Sequence, residues 1–413
     1  MMDPLASAKS WIETQRDRMI GLVERWAVVN SGTMNSSGVG TVAHLMQHEF
    51  AELGVTPELI PVDPVEELNN RGEVVAHALG PALSVRCRPH APRRVLLVIH
   101  MDTVYGIDSS FQTVRRDDDH LYGPGVADAK GGVAVMLTAL QALERHVKAT
   151  GNTELGWEVL LNPDEEIGSP GSARLLEESA RRNHVGLLFE PALPDGSLAH
   201  HRKGSANFHI RCVGVSAHAG RHFEEGRNAI AAAAFLASGI HQLNGNWEGT
   251  TLNIARIDGG GPLNMVPRMA VLRLNVRYSQ SENECEIASA IDELQRSASQ
   301  QFGVDVERFG EFNTPPKTID ERGQFLFDQI RETAKNLEID LNWRSTGGVC
   351  DGNRLAGWGV PNVDTLGVCG VGIHSPDEFM ILDSLTERAT LTAHTLINWT
   401  FRSDLWPGPT LPS

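Results

Sequence analysis

Several short stretches of the chain place imidazoles and carboxylates where metal-assisted hydrolysis needs them. His100-Met101-Asp102 closes the apolar run Arg94–His100. Side chains two apart on a strand point the same way, so Asp102 can reach the His100 side and fix the tautomer of a metal-binding imidazole. The segment Tyr122–Gly132, YGPGVADAKGG, carries four glycines, one proline and a single aspartate, Asp128, ahead of a helical pattern. Such a backbone presents one carboxylate closely to a partner. Lys130-Gly131-Gly132 lacks the spacing of a phosphate-binding loop. Asn162–Gly168, NPDEEIG, sets three acids in a row. Like charges repel, and a divalent cation reverses that sign, so one carboxylate can hold metal while its neighbour takes a proton from water. Glu190 ends the run VGLLFE, and His374 follows a glycine-rich stretch in VGIHSPDE.

Taken singly, each feature also describes ordinary structure: a strand-end histidine, a tight turn, a solvated acidic run. Together His100, Asp128, Glu166, Glu190 and His374 make the nitrogen and oxygen donor set that suits zinc and its neighbours. If Asp128 bridges, each of two metals receives one histidine, one terminal carboxylate and half of Asp128. The metals would then lie about 3.5–4 Å apart, as in dinuclear hydrolytic sites.

The elements that must position these residues read as α/β. Short buried strands are expected at Arg94–His100, Gly156–Leu161 and Val185–Phe189, with helices at Ser7–Val28, Val39–Leu53, Gly131–His146 and Ser172–Arg182. After about His201 the pattern changes. Ser205–Val213, Thr250–Asp258 and Met269–Tyr278 alternate as half-buried strands, and Asn228–Leu243 and Glu282–Gln300 are helical. Beyond Pro315-Pro316 come a helix at Gly323–Asn336, a strand at Asn362–Leu366 and a last helix at Ser384–Phe401. The expected architecture is an α/β catalytic domain with a mixed sheet flanked by helices, residues 1–204 and 314–413, interrupted by a smaller α+β domain at 205–313.

The 413 residues carry 36 basic and 52 acidic side chains, a formal net charge of −16. That field opposes nucleic acid and anionic membrane as partners. The N-terminus bears charges where a secretory leader needs an apolar segment, and the reading is cytoplasmic. Five scattered cysteines without a Cys-x-x-Cys pair suit reduced thiols.

The stretches IHMDTVYG, YGPGVADAKGG, NPDEEIGSPGS, FEP, SAHAG and IHSPDE occur in this order from residue 99 to 378. The chain thereby resembles the co-catalytic metallopeptidase family of aminoacylases, dipeptidases and desuccinylases, and within it the bacterial glutamate carboxypeptidase branch. The resemblance implies that His100, Asp128 and Glu190 hold one metal and His374, Asp128 and Glu166 the other, zinc by default with manganese or cobalt suiting the same ligands. Asp102 would orient His100, and Glu165 would be the general base toward metal-bridging water attacking an amide carbonyl. The segment 205–313 would be a lid and homodimerisation domain. His218 in SAHAG would reach across the dimer to the oxyanion. Asn264 and Arg277 would bind the substrate's free carboxylate or the transition state, joined by Arg308. Gly347 and Gly348 would form a backbone loop over the substrate.

The implied function is hydrolysis of an amide bond in a small peptide or N-acyl amino acid with a free carboxylate. The alternatives are an N-acyl amino acid deacylase and a catalytically silent metal-dependent binding or dimerising protein. One residue departs from the family's pattern: Ala129 stands where a second aspartate is usual. The Asp128–Ala129 peptide is expected to be cis all the same.

Overall fold

The computed structural model describes residues 3–408. A six-stranded mixed sheet forms its centre, in the order Glu58–Ile60, Ala82–Cys87, Leu155–Asn162, Arg93–His100, Val185–Leu188, Asn362–Val363. The first two contacts in that order are antiparallel, and the other three are parallel. Strands Arg93–His100 and Leu155–Asn162 are almost wholly buried because helices cover both faces. The helix Gly132–Thr150 runs through the larger core with Trp26, Trp157 and Trp399. The apolar segment Val126–Thr150 is long enough to cross a membrane, but 94% of its most apolar window is buried inside this fold.

Between Gly204 and Thr314 a second, antiparallel sheet stands on its own core. Its order is Thr251–Gly259, Met269–Tyr278, Gly204–Val213, Asp305–Phe309, and Phe312–Thr314 also pairs with Gly204–Val213. Helices Ala229–Gln242 and Glu284–Phe302 cover one face through Ala233, Leu236, Ile287 and Ile291.

Several expectations are corrected. The helix read as Ser7–Val28 is two, Pro4–Glu13 and Arg16–Ala27. The Thr14 hydroxyl donates to the Trp11 carbonyl at 2.6 Å and ends the first turn-series there. The strand read as Asn362–Leu366 stops at Val363, and the chain turns at Thr365, which has φ of 66°. The proline- and charge-rich stretch before Arg93 is ordered, with strand Ala82–Cys87 and a hairpin of Val65–Leu68 against Val74–His77. The hairpin leaves the central sheet and crosses to the second one. There Arg211 donates to the Gly72 carbonyl at 2.7 Å and Arg273 to the Leu68 carbonyl at 2.8 Å.

Candidate active site

The chemistry-bearing residues sit at the carboxyl ends of the central strands, where open α/β sheets bind ligands. His100 is the last residue of its strand, 1% exposed. Its Nδ1 lies 3.0 Å from the Asp102 carbonyl and 3.3 Å from Asp102 Oδ1, so Nε2 is the nitrogen turned to the site. Asp102 does more than orient this ring. Its carboxylate accepts from Thr33 Oγ1 at 2.7 Å and from the main-chain N–H groups of Glu165 and Glu166 at 3.1 and 3.2 Å. One buried carboxylate therefore fixes both the imidazole and the acidic turn.

Asp128 lies between two imidazoles. Oδ1 is 3.1 Å from His100 Nε2, and Oδ2 is 3.1 Å from His374 Nε2. Glu166 Oε2 is 3.2 Å from His374 Nε2, and Glu190 Oε2 is 3.7 Å from His100 Nε2. The Asp128–Ala129 bond is cis, as the sequence led one to expect despite Ala129. These separations come within about 0.2 Å of those around a shared cation on each side of Asp128. Ligand atoms about 2.0–2.2 Å from a tetrahedral zinc stand roughly 3.3–3.6 Å apart. Atoms of His100, Asp128 and Glu166 gather within 4.8 Å of one another.

The three consecutive acids divide. Asp164 turns into the fold, accepting from Gly171 N at 2.6 Å and Ser172 Oγ at 2.5 Å, and burial pushes it up to about 6. Glu165 and Glu166 face a cleft of about 820 Å³. Burial, and next the Glu190 carboxylate, hold Glu165 well above the usual carboxylate range. Burial likewise raises Glu166, to about 7. Carboxylates so crowded suit a divalent cation, whose charge offsets their mutual repulsion.

Beneath the site lie residues that the motifs contained but did not reveal as functional. Glu378 is fully buried and accepts from the main chain of Gly125, Ala127 and Asp128 at 2.9–3.1 Å and from the Tyr105 hydroxyl at 2.8 Å. It holds the loop that carries Asp128. Lys130, 1% exposed, donates to the Pro124 carbonyl, and burial pulls it down to about 8. The signal in the sequence was a charged residue inside a glycine-rich loop, which local patterning reads as solvated.

The rest of the cleft is built by distant segments. The second sheet contributes Ser205, Asn207, His209 and Arg277, the hairpin contributes Val65, Glu67 and Leu68, and the loop Gly348–Asp351 closes another side. Arg277 Nε donates to Asn275 Oδ1 at 3.0 Å. Its Nη1 is buried and has no hydrogen-bond partner among the described residues, and burial pulls the guanidinium pKa down.

Not every expected residue comes to this cleft. Arg308 points to the opposite face of its strand, with Nη2 3.2 Å from Asp292 and its guanidinium over the Phe208 ring, while its neighbour Phe309 faces the cleft. Strand alternation decides this. Gly348 lines the cleft, and Gly347 beside it is exposed and not part of the lining. His218 and Asn264 lie together in paired loops of the second sheet, where the Ala219 amide donates to the Asn264 carbonyl at 2.8 Å. Neither lines the cleft of their own chain.

The chain is similar to known proteins along most of its length. Peptidase family M20/M25/M40 matches residues 96–398. Carboxypeptidase G2 of Pseudomonas sp. (strain RS-16) is 28% identical over 395 residues, 93% of this chain and 90% of its own. Succinyl-diaminopimelate desuccinylase of Gluconobacter oxydans (strain 621H) is 27% identical over 285 residues, 66% of this chain and 71% of its own. The M20 family metallo-carboxypeptidase Sso-CP2 from Sulfolobus solfataricus shares the fold, with a TM-score of 0.73 at 15% identity over 92% of this chain and 99% of that one. With well over half its length matched, the chain belongs to Peptidase family M20/M25/M40 and is a metallohydrolase.

Proposed function

We propose that the protein hydrolyses an amide bond in a small peptide or N-acyl amino acid that bears a free carboxylate, in the manner of a glutamate carboxypeptidase. The observation that carries this reading is the Arg277 guanidinium. It opens on the same cleft as Glu165, Glu166 and His374 with one buried nitrogen unpaired. A planar guanidinium with free donors matches a carboxylate in geometry and charge.

His100, Asp128 and Glu190 would hold one divalent metal, and His374, Asp128 and Glu166 the second, with zinc first among the candidates. Such ions polarise an amide carbonyl and lower the pKa of water to near neutrality. The chain's own groups supply the rest. Asp102 anchors the turn by its main chain, leaving the Glu165 carboxylate free to accept a proton from water and return it to the departing amine. Arg277 would orient the substrate's carboxylate. His218 and Asn264, which do not line this cleft, would serve the cleft of a second copy in a homodimer formed through residues 205–313, with His218 donating to the oxyanion.

The test is release of amine from dipeptides, folyl-glutamate and N-acyl amino acids, with zinc present or removed by chelation. Zinc-dependent turnover of substrates with a free carboxylate is expected. Two bound metals without turnover across the panel would favour a silent binding protein.

A further inference from the structure

The chain crosses into the second sheet at Arg202 and returns at Lys317, and the two crossings are locked side by side. Arg202 N donates to the Lys317 carbonyl at 3.1 Å and Lys317 N to the Arg202 carbonyl at 3.0 Å. Their side chains then share one carboxylate. Arg202 forks onto Asp364 with Nε 3.0 Å from Oδ2 and Nη2 2.7 Å from Oδ1, and Lys317 Nζ lies 2.6 Å from Oδ2. The three side chains are 7%, 1% and 0% exposed in the order Arg202, Lys317, Asp364. Two cations and one anion removed from water are a weak source of stability, since apolar residues of like volume serve as well. A positional role accounts better for such a set.

The remaining donor of Arg202 shows what is positioned. Nη1 donates to the Gly348 carbonyl at 3.1 Å, and Gly348 lines the cleft. Three residues on, Asp351 accepts from Asn162 Nδ2 and Ser169 Oγ, each at 2.6 Å. Those two residues flank the Glu165–Glu166 turn. The segment Gly348–Asp351 is thus strung between the crossing point and the acidic turn, tied at both ends by buried side chains.

We propose that Arg202 is a positioning residue for substrate binding: held by Asp364 beside Lys317, it fixes the Gly348 wall of the cleft relative to the carboxylate turn. A lysine cannot replace it, because a point-charge ammonium cannot fork onto Asp364 and reach Gly348 together. The inference rests on the reading of this cleft as the substrate site.

The test compares Arg202→Lys with Lys317→Met in the full-length, metal-loaded protein. Arg202→Lys should keep the wild-type metal content while raising KM roughly tenfold with little change in kcat, as loss of a charge-assisted tie at the wall implies. Amide hydrogen exchange in residues 346–351 should accelerate. Lys317→Met keeps the Arg202 fork and its Gly348 bond, so KM and exchange in 346–351 should stay as in the wild type. Equal effects in the two variants, or an unchanged KM and unchanged exchange in Arg202→Lys, would overturn the proposal. Exchange does not depend on turnover, so it decides the positioning role even if the wild type hydrolyses nothing on the panel, an outcome that refutes the proposed function alone. Should Arg202→Lys fail to fold, the wild type suffices: exchange of 346–351 as fast as in an exposed loop would overturn the proposal, and protection matching that of the crossing strands would support it.

Discussion

His100 and His374 face each other across a single side chain, each with Nε2 3.1 Å from a different oxygen of Asp128. Asp128 therefore belongs to both halves of the site, whereas Glu190 stands on the His100 side and Glu166 on the His374 side. Asp128→Ala should abolish binding of both metals, and Glu190→Ala should weaken mainly one. Metal content per chain after dialysis, by atomic emission, distinguishes them. Two metals retained in Asp128→Ala would defeat the bridging assignment.

Glu165→Gln should keep its metals and its fold, since the main-chain tie to Asp102 is untouched. Its turnover should fall by about 10²–10⁴, the usual contribution of a positioned general base. Hydrolysis at more than about a tenth of the wild-type rate would move the proton-transfer role to another group.

Removing the Arg277 fork should cost about 1.5–3 kcal/mol of substrate binding, or roughly 10–150-fold in kcat/KM, for substrates with a free carboxylate. Amidated analogues should respond little to Arg277→Ala. A comparable loss on both classes would show that Arg277 serves the fold rather than recognition.

If His218 serves a second copy, His218→Ala and Glu165→Gln homodimers should each be nearly inactive, and subunit exchange between them should restore measurable turnover. In the mixed dimer one cleft keeps Glu165 and receives an intact His218. A mixture that stays at the level of the separate variants rules against a shared site.

Acid sensitivity should trace in part to His184. Burial first, then the Arg94 and Arg322 guanidinium groups, pull its pKa down to about 4 from an ordinary value of 6.5. The unfolded chain binds this proton more readily, so the neutral ring's contribution is fully present above pH 6.5 and is lost as pH falls toward 4. For a half-exposed group the loss is about 1 kcal/mol after solvent screening. Thermal melts from pH 7 to 4.5 should show a shallower decline in His184→Gln than in the wild type. Parallel curves would place the acid sensitivity elsewhere.

Much of the fold was legible locally. The buried runs at Arg93–His100 and Leu155–Asn162 and the alternation of Met269–Tyr278 mark strands because their periods report which faces are covered. The hairpin Val65–His77 was not legible. Its short, half-exposed strands carry no clear period, and they are tied down by Arg211 and Arg273 from far along the chain. The register that turns Arg308 away while Phe309 enters the cleft depends in the same way on which face the helices cover.

By itself the sequence determined the donor inventory, two imidazoles and a set of carboxylates at strand ends and in tight loops, because residue type and local spacing carry that chemistry directly. Tertiary structure alone decided how those groups share space. Asp164 turned inward while Glu165 and Glu166 turned out, Glu378 and Lys130 took buried posts behind Asp128, and Arg202 and Lys317 met on Asp364. A charged residue destined for burial has the same local signature as one destined for solvent. Only the arrival of a partner from a distant segment fixes which it becomes.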